Sequence, residues 1–555
     1  MENTKNVNIM DIPAEKFQPA TGRDTSHDKK LDTKPISAFK DAWLRFCKNK
    51  GSIAAFVIII ILVLFSIVVP IFSQYTVAYD DLYFKYNYPR NELFVKLGWD
   101  FWDGCAKKTL NETTFLEHTA IGMETGDLVI KDNKYTVRKE KSGNFYTYRM
   151  DSYHTTGIAE QKLTLAEFQA LQAYQDERNI QIIYPAIGEL GQDAAGNDFA
   201  EKYPQYKTNV NIWFKMVEKY ATNADGTVNK KKKVLIPDVY DKDGNIIYDD
   251  DGNIAFKKNY IPYSGLDDEN LPKDRYTSKM LIEGENREYN YAVKKNGDCY
   301  VVRVNYYEYY IYMHTQILKD GIDKPSFLFG TTQAGKDIFT CLGAGARLSF
   351  LLAISVSAVN MLVGAIYGAI EGYYGGKLDL FMERFSDILA AVPFMIVITL
   401  LKLHMGNTSQ LTILFIAFFL TGWIGMAARV RMQFYRFKNQ EYVLAARTLG
   451  ARDSRIMLRH IFPNSLGTII TGSVLSIPGM IFSESSLSYL GIINLQTGSM
   501  TSVGNLLSSA QPYLTTYPYM MLFPGLFICL LMLSFNLFGN GLRDAFNPSL
   551  RGAED

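Results

Sequence analysis

Hydrophobic residues are gathered into a few long runs rather than spread evenly along the chain. Apolar stretches fall at roughly 53–72, 348–370, 384–403, 410–428, 466–490 and 519–540. Ile53–Ile71 carries no charge and is long enough, as a helix, to cross a hydrocarbon layer of roughly 30 Å. The later runs contain Gly, Pro and Ser, which membrane helices accept where they pack against one another. The pattern predicts an α-helical polytopic membrane protein with about six transmembrane helices.

Residues 75–325 follow different rules, being crowded with Tyr, Lys, Asp, Asn and Gly. Asp127–Met150 and Glu285–Met313 alternate aromatic with polar residues around turns at Ser142-Gly143 and Asn296-Gly297, which predicts hairpins. Leu163–Arg178 reads as a helix, with Thr164 and Glu167 as a capping box. Asp243-Gly-Asn-Ile and Asp251-Gly-Asn-Ile read as two successive turns. Their aspartates would suit calcium, but the glycine position does not fit an EF-hand loop. The stretch is therefore expected to be an inserted α+β domain.

Composition adds little until charge is placed along the chain. At 555 residues the protein exceeds one ordinary domain, and its mean hydropathy near zero averages two unlike populations. The net charge of +1 points to no polyanionic partner, so nucleic acid is not expected. Lys29, Lys30, Lys34, Lys40, Arg45, Lys48 and Lys50 precede the first run. A second basic cluster spans Arg429 to Arg459 and includes Arg431, Arg436, Lys438, Arg447, Arg452 and Arg455. Basic residues beside membrane segments stay cytoplasmic, so both clusters go inside. The first 40 residues are polar and lack an apolar core or cleavage site, so the first run is an uncleaved anchor. Six crossings then put 73–345 outside and both termini in the cytoplasm. Cys47, Cys341 and Cys529 lie in or beside membrane runs, whereas Cys105 and Cys299 fall in the external stretch. That compartment permits a Cys105–Cys299 disulfide, and two free thiols are equally open.

The cytoplasmic stretch is the most structured signal. Asn439–Gly450 predicts about three helical turns with Tyr442, Ala445, Ala446 and Leu449 on one face. Gly450 permits a sharp turn, and a second short helix, Asp453–Ile461, is expected to stop before Pro463. Such a knob lets another protein approach closely; a plain membrane-surface connector is the alternative.

The run Glu441-Tyr-Val-Leu-Ala445-Ala446-Arg-Thr-Leu-Gly450, followed by His460-Ile-Phe-Pro463-Asn464, resembles the coupling loop of ABC importer permeases. More narrowly, it resembles the C-type subunit of oligopeptide, dipeptide and nickel permeases. Phe329-Gly330-Thr331, Gly345-Ala346-Arg347-Leu348-Ser349 and Gly372-Tyr-Tyr-Gly375-Gly376 support the likeness in order. So do Ser488-Tyr-Leu-Gly491, Gly504-Asn505 and Phe535-Asn536-Leu-Phe-Gly539-Asn-Gly541-Leu-Arg543-Asp544. The resemblance covers about 40–72 and 327–550 and implies four parts. These are a cytoplasmic disordered tail (1–40), an amphipathic start with the first helix (41–72), an extracellular insertion (73–325), and a five-helix permease core (326–555) with its coupling loop at 429–463.

The resemblance also implies the assembly. A second permease subunit forms a heterodimer with this chain, and two cytoplasmic ATPase subunits carry ATP and Mg. An extracellular substrate-binding lipoprotein delivers a peptide, and the complex sits in a bacterial plasma membrane. Glu441, Ala445, Ala446, Gly450 and Pro463 would transmit nucleotide-driven closure through a rigid lever that discriminates two ATPase states. Three departures stand out: Leu444 where the family has glutamate, Val503 where tryptophan is common, and Asn540 for aspartate. Cargo is expected to be oligopeptides, with dipeptides, nickel or another small solute as alternatives. A membrane-anchored receptor is a different class, but no signalling domain is recognisable after Asn540.

Other motifs carry less. Gly330-Thr-Thr-Gln-Ala-Gly335-Lys336 imitates a phosphate loop, but Asp337 stands where a metal-binding hydroxyl is needed. Glu484, in the fifth run beside Met480 and Ser483, either lines a translocation path, or bonds to the partner permease or sits near the outer interface. His404 and His460 are isolated, and no metal site or Ser–His–Asp set is evident, so no cofactor in this chain and no catalysis are expected. The Tyr-rich insertion could grip the delivery lipoprotein, with a lid or spacer as the alternative.

Overall fold

The computed structural model describes residues 38–141, 143–184, 216–223, 225–256, 292–295, 299–498 and 500–546. Nearly all of the expected N-terminal tail, and the turn residues Ser142, Asn296 and Gly297, lie outside the described residues. The chain opens with α1 (Ala38–Lys48), whose Ala42 and Phe46 are buried against Ala545 near the C-terminus. Asn49 then caps α2 (Lys50–Phe72), its side chain accepting from the Gly51 and Ser52 amides.

The insertion follows with α3 (Glu92–Lys96), β1 (Cys105–Asn111), α4 (Glu112–Thr125), β2 (Ile130–Glu140), β3 (Gly143–Asp151) and β4 (Ile158–Thr164). Next come α5 (Leu165–Arg178), β5 (Ile183–Tyr184), β6 (Met216–Thr222), β7 (Val228–Pro237), β8 (Ala292–Lys295), β9 (Cys299–Asn305) and α6 (Tyr306–Tyr312). All pairings are antiparallel: β1-β3-β2, β4-β9-β5 with β8 also on β9, and the ribbon β6-β7. Phe115 and Leu116 of α4 pack with Tyr146 and Tyr148 of β3, and Phe168 and Leu171 of α5 with Val302 and Val304 of β9.

Several expectations hold in detail. β2 and β3 pair from Ile130↔Met150 to Glu140↔Gly143. The Thr164 hydroxyl accepts from the Glu167 amide at 3.3 Å while Glu167 accepts from the Thr164 amide at 2.8 Å, which is the capping box. In the tandem turns Asp241 accepts from the Asn245 amide at 2.8 Å and Asp249 from the Asn253 amide at 2.7 Å. Gly244 and Gly252 sit at φ +85° and +81°, the left-handed geometry that each turn requires.

One expectation is corrected. The predicted 285–313 hairpin ends at Asn305, and Tyr306 onward is helical, continuing as a wide π-type turn over Met313–Leu318. Asn305 caps that helix, and burial of Tyr309, Tyr310 and Tyr312 stabilises it against the strand pattern that tyrosine favours. Cys105 opens β1 opposite Asp151, whereas Cys299 opens β9 opposite Thr164 in another sheet. Both are free thiols here, one of the two readings left open.

The remaining helices are α7 (Ile338–Tyr374), α8 (Gly376–Ala390), α9 (Phe394–His404), α10 (Gln410–Gly422), α11 (Ile424–Phe437) and α12 (Glu441–Thr448). They are followed by α13 (Asp453–Arg455), a π-type turn over Ile456–Ile461, α14 (Phe462–Tyr489), α15 (Val503–Ala510) and α16 (Tyr519–Phe546). Among the described residues, five helical stretches are long and apolar enough to span: α2, α7, α10–α11, α13–α14 and α16. The expected straight span at 384–403 is instead α8 and α9, bent by 72°. Pro393 lacks an amide hydrogen and pushes Val392 out of the helical region, which breaks the rod there.

Packing tells what the bent pair does. Gly364, Gly368 and Gly372 of α7 meet Trp423, Ala427 and Arg431 of α11 in the same order along the chain, so the two helices run parallel. A Cβ on Gly368 would lie 2.2 Å from the Ala427 carbonyl oxygen, and only glycine admits this approach. Parallel neighbours require the chain to return to the far end of the bundle between them, and α8–α9 makes that return.

The insertion is clasped to the bundle by the loop that imitates a phosphate loop. The Thr331 hydroxyl donates to the Phe84 carbonyl at 2.6 Å and accepts from the Asn87 amide at 2.8 Å. Gly335, at φ +70°, faces the Asp81 carbonyl so closely that a Cβ would fall 1.7 Å from its oxygen. Asp337 caps α7 by accepting from the Thr340 amide at 2.9 Å, and burial pushes its carboxyl up to about 6. The loop's concave side is filled by 81–87 of the same chain.

His118 of α4 is buried against the Tyr148 hydroxyl, 2.8 Å from its Nδ1, and burial lowers its pKa to about 4. A depressed histidine stabilises the fold fully above its unfolded value, and that contribution is lost as pH falls through about 6.5 to 4. At about 1.4 kcal/mol per unit the loss approaches ~3 kcal/mol. The melting temperature of the full chain in detergent should therefore drop between pH 7 and 4, and by less in His118→Gln; equal drops would show that His118 does not titrate with unfolding.

Candidate functional site

The knob that follows α11 is built around one buried side chain. In α12 only Val443 is buried, at 0% exposure, packed among Val430, Phe434, Ile456 and Ile461. Everything else on the helix turns outward or stands half-exposed. Tyr442, Leu444 and Leu449 are exposed apolar side chains, with Leu449 at 87%, and Leu458 on the following turn joins them. Ala445 is exposed and Ala446 half-buried, so the expected small-residue face is presented to solvent.

Gly450 ends α12 in a Schellman arrangement. The Ala451 amide donates to the Ala446 carbonyl at 3.1 Å and the Gly450 amide to the Arg447 carbonyl at 3.0 Å, with Gly450 at φ +80°. The elbow is braced from several sides. The Tyr373 hydroxyl donates to Asp453 Oδ1 at 2.6 Å, and the Arg447 guanidinium lies over the Tyr373 ring. The Asn464 amide donates to the Tyr442 hydroxyl at 3.2 Å; burial raises that hydroxyl's pKa and the Asn464 bond lowers it. The expected stop before Pro463 is corrected: the helix runs on from Asp453 to Tyr489. Pro463 follows directly on the π-type turn over Ile456–Ile461, whose wider hydrogen-bond spacing accommodates the ring without ending the helix. The elbow is thus continuous with a membrane span.

A second feature went unread in the sequence. Arg431 Nε donates to Asp379 Oδ1 at 2.6 Å and its Nη1 to Glu383 Oε1 at 2.8 Å, with Glu371 at 3.6 Å. The Tyr435 hydroxyl also donates to Asp379, and Lys438 Nζ donates to the Gly372 carbonyl at 3.0 Å. Three acidic residues from α7 and α8 thereby hold the end of α11 just before the elbow. A sequence shows these charges 48 to 60 positions apart, with no period to relate them. The only hint was Asp379, Glu383 and Asp387 recurring every four residues on one helix face.

The pathway residues fall elsewhere. Glu484 is buried within this chain, accepting from the Ser349 hydroxyl at 2.9 Å and the Ser488 hydroxyl at 3.1 Å. Within this chain the carboxylate ties α14 to α7. Ser483 donates to the Gly479 carbonyl of its own helix at 2.8 Å, and Met480 is half-buried. Among the described residues, no group of three or more His, Cys, Asp and Glu side chains could hold a metal ion.

Removing the Arg431 guanidinium would leave the buried Glu371 and Asp379 uncompensated. Arg431→Met should cost about 3–5 kcal/mol, read as a lower melting temperature. Arg384→Met, which breaks an exposed pair with Asp387, should change it little. Equal effects would show that the Arg431 cluster is not a brace.

Comparison with known proteins agrees with this construction. Residues 348–552 match the model of the binding-protein-dependent transport system inner membrane component. Residues 37–89 match the N-terminal TM domain of oligopeptide transport permease C. The chain is 42% identical over 245 residues to the oligopeptide transport system permease protein OppC of Bacillus subtilis, covering 44% of this chain and 78% of that protein. It is 40% identical over 224 residues to the dipeptide transport system permease protein DppC of the same organism, covering 40% of this chain and 69% of that protein. OppC of Escherichia coli K12 is 36% identical over 223 residues, 40% of this chain and 72% of that protein. With its five to six apolar helices, the chain belongs to the oligopeptide/dipeptide permease C branch of the binding-protein-dependent transport components, multi-pass subunits of ABC importers in the bacterial inner membrane.

Proposed function

We propose that this chain is the C-type half of a membrane passage that moves oligopeptides into the cell, driven by two separate ATPase subunits. The observation that carries the reading is the exposed apolar face of α12 on an elbow continuous with α14. A partner that grips this face differently in two nucleotide states would swing the span with it. On this reading Glu441, Ala445, Ala446, Gly450 and Pro463 form the coupling contact, and Leu444 replaces a carboxylate contact with an apolar one. A second permease subunit completes the passage, to which the half-exposed Met480 and Ser483 contribute. A substrate-binding lipoprotein delivers peptide at the opposite face, where the Tyr-rich insertion offers a docking platform. Dipeptides, nickel or another small solute remain the alternative cargoes.

The same reading sets orientation. The parallel packing of α7 and α11 supports six crossings, which put Lys48, the elbow and Arg543 on one side and the insertion on the other. Basic flanks favour the cytoplasm for the first side, so 73–345 is extracellular and both termini are internal. The division into tail, first helix, insertion and core follows from this.

Two measurements test it. A membrane-impermeant maleimide on intact cells should label the exposed Cys299 and spare the exposed Cys47, so Cys299→Ser should abolish labelling. Labelling that survives in Cys299→Ser and vanishes in Cys47→Ser would invert the topology. In proteoliposomes holding the full complex, ATP should drive accumulation of a labelled oligopeptide. Leu449→Glu should lower that uptake by ~30-fold, the effect of losing a contact worth about 2 kcal/mol. Uptake unaltered by Leu449→Glu would remove α12 as the coupling element, and accumulation of nickel alone would reassign the cargo.

A further inference from the structure

Residues 91–102 make a small closed loop at the base of the insertion, just past the stretch matched by the permease C family model. The Asn91 amide donates to the Trp102 carbonyl at 2.8 Å, and the Arg90 and Asp103 backbones pair as an antiparallel β-bridge, so both ends are pinned together. Loops of this length with joined ends are compact units held by their own side chains. One side is polar and fastened to the sheet: Asp103 accepts from Lys131 at 2.6 Å and Arg149 at 2.7 Å, and Asp100 pairs with the same two cations.

The other side is apolar and uncovered. Leu93, Leu97, Trp99 and Phe101 are 62%, 57%, 53% and 62% exposed, four large side chains within nine residues. Scattered exposed hydrophobics are ordinary, but a contiguous group on a pinned loop is a surface built for an apolar neighbour. Trp102 holds a left-handed backbone, φ +58°, which is costly for a bulky residue and needs fixed surroundings.

Those surroundings identify the neighbour. Trp102 stacks at 5.9 Å on Phe94 of the loop and at 6.1 Å on Phe523 of α16. Phe523 in turn stacks on Phe329 at 4.1 Å, and the rings continue through Phe339 to Phe65 of α2. Phe523 lies one turn inside the start of the α16 span, between Tyr519 and the exposed Leu522 and Leu526. The uncovered face of the loop therefore adjoins the first turns of an apolar spanning helix with exposed Leu522 and Leu526, near a cluster of tyrosines (Tyr86, Tyr88, Tyr513, Tyr517). Tryptophan and tyrosine concentrate at this depth of a bilayer, where an apolar body meets a polar edge.

We propose that the 91–102 loop is an interfacial anchor, its Leu93, Leu97, Trp99 and Phe101 side chains lying in the leaflet that the first turns of α16 enter. The loop thereby fixes the insertion's base at the membrane surface, leaving the α4 and α5 layers in water. The inference depends on α16 being a span and not on cargo or on which compartment holds the insertion. An aqueous protein partner would cover the same face but would leave it outside lipid.

The test uses the full chain in nanodiscs with its partner subunits, carrying a nitroxide at a single engineered cysteine in a cysteine-free background. Labels at Leu93→Cys and Trp99→Cys should relax strongly with oxygen and weakly with a water-soluble nickel chelate. A label at Lys134→Cys, on the exposed hairpin, should do the reverse. Equal chelate access at 99 and 134 would overturn the anchor, and so would a label at 99 shielded from both reagents, which a protein partner would produce. The native sequence gives a second readout: brominated acyl chains should quench tryptophan emission, and Trp99→Tyr should remove part of that quenching. Quenching unaffected by Trp99→Tyr would also reject the proposal. Its failure would leave uptake and coupling untouched.

Discussion

α7 and α11 lie backbone against backbone, and most of the bundle is arranged around that contact. Gly364, Gly368 and Gly372 leave no side chain between the helices, so the approach is set by main-chain atoms. In lipid there is no hydrophobic gain from pairing helices, and close van der Waals packing takes its place. Because the two helices run parallel, the chain between them must cross back, and a polar elbow must follow α11 at the same end as the end of α7. Arg431 stands at that end and gathers Asp379, Glu383 and Glu371 around one guanidinium. Geometry of this kind satisfies the charges together, which is what makes them tolerable where apolar helices begin.

The elbow inherits its rigidity from this base. Val443 is set into the same cluster that holds Val430 and Phe434 of α11, and Tyr373 of α7 reaches Asp453 beyond the turn. A short exposed helix would ordinarily fray, since eight residues nucleate poorly without tertiary support. Here it has a buried anchor, a glycine-based end and a continuous rod leading into the membrane. Leu449 and Leu444 stand exposed on this supported helix.

The insertion is attached by a different logic. Its sheets carry their own aromatic cores, while its base is sewn to the bundle through main-chain bonds and the Thr331 hydroxyl between 81–87 and 330–337. Asp81 adds a polar centre, accepting from the Tyr306 hydroxyl at 2.7 Å inside a shell of buried rings. Such a network resists rotation of the insertion on the bundle, because each hydroxyl that turned away would leave a buried acceptor unpaired.

Local chemistry was legible wherever a few adjacent residues decide the outcome. The apolar runs, the Thr164–Glu167 box, the paired Asp-x-Asp-Gly-Asn turns and the Gly450 elbow all depend on neighbours within about five positions, and each was readable. Misreadings came where distant groups arbitrate. Tyr306–Tyr312 alternates like a strand, but burial and the Asn305 cap make it a helix. Pro463 reads as a stop until a widened turn ahead of it lets the helix pass. Cys105 and Cys299 belong to separate sheets, and Glu484 meets Ser349, 135 positions away, placements that no short-range pattern carries. Chain-local chemistry sufficed for the membrane runs, the turns and the family likeness, because periodicity and caps are short-range. Packing alone decided the parallel contact of α7 and α11, the Arg431 cluster and the ring stack behind Trp102, because those partners meet only once the backbone has been folded over on itself.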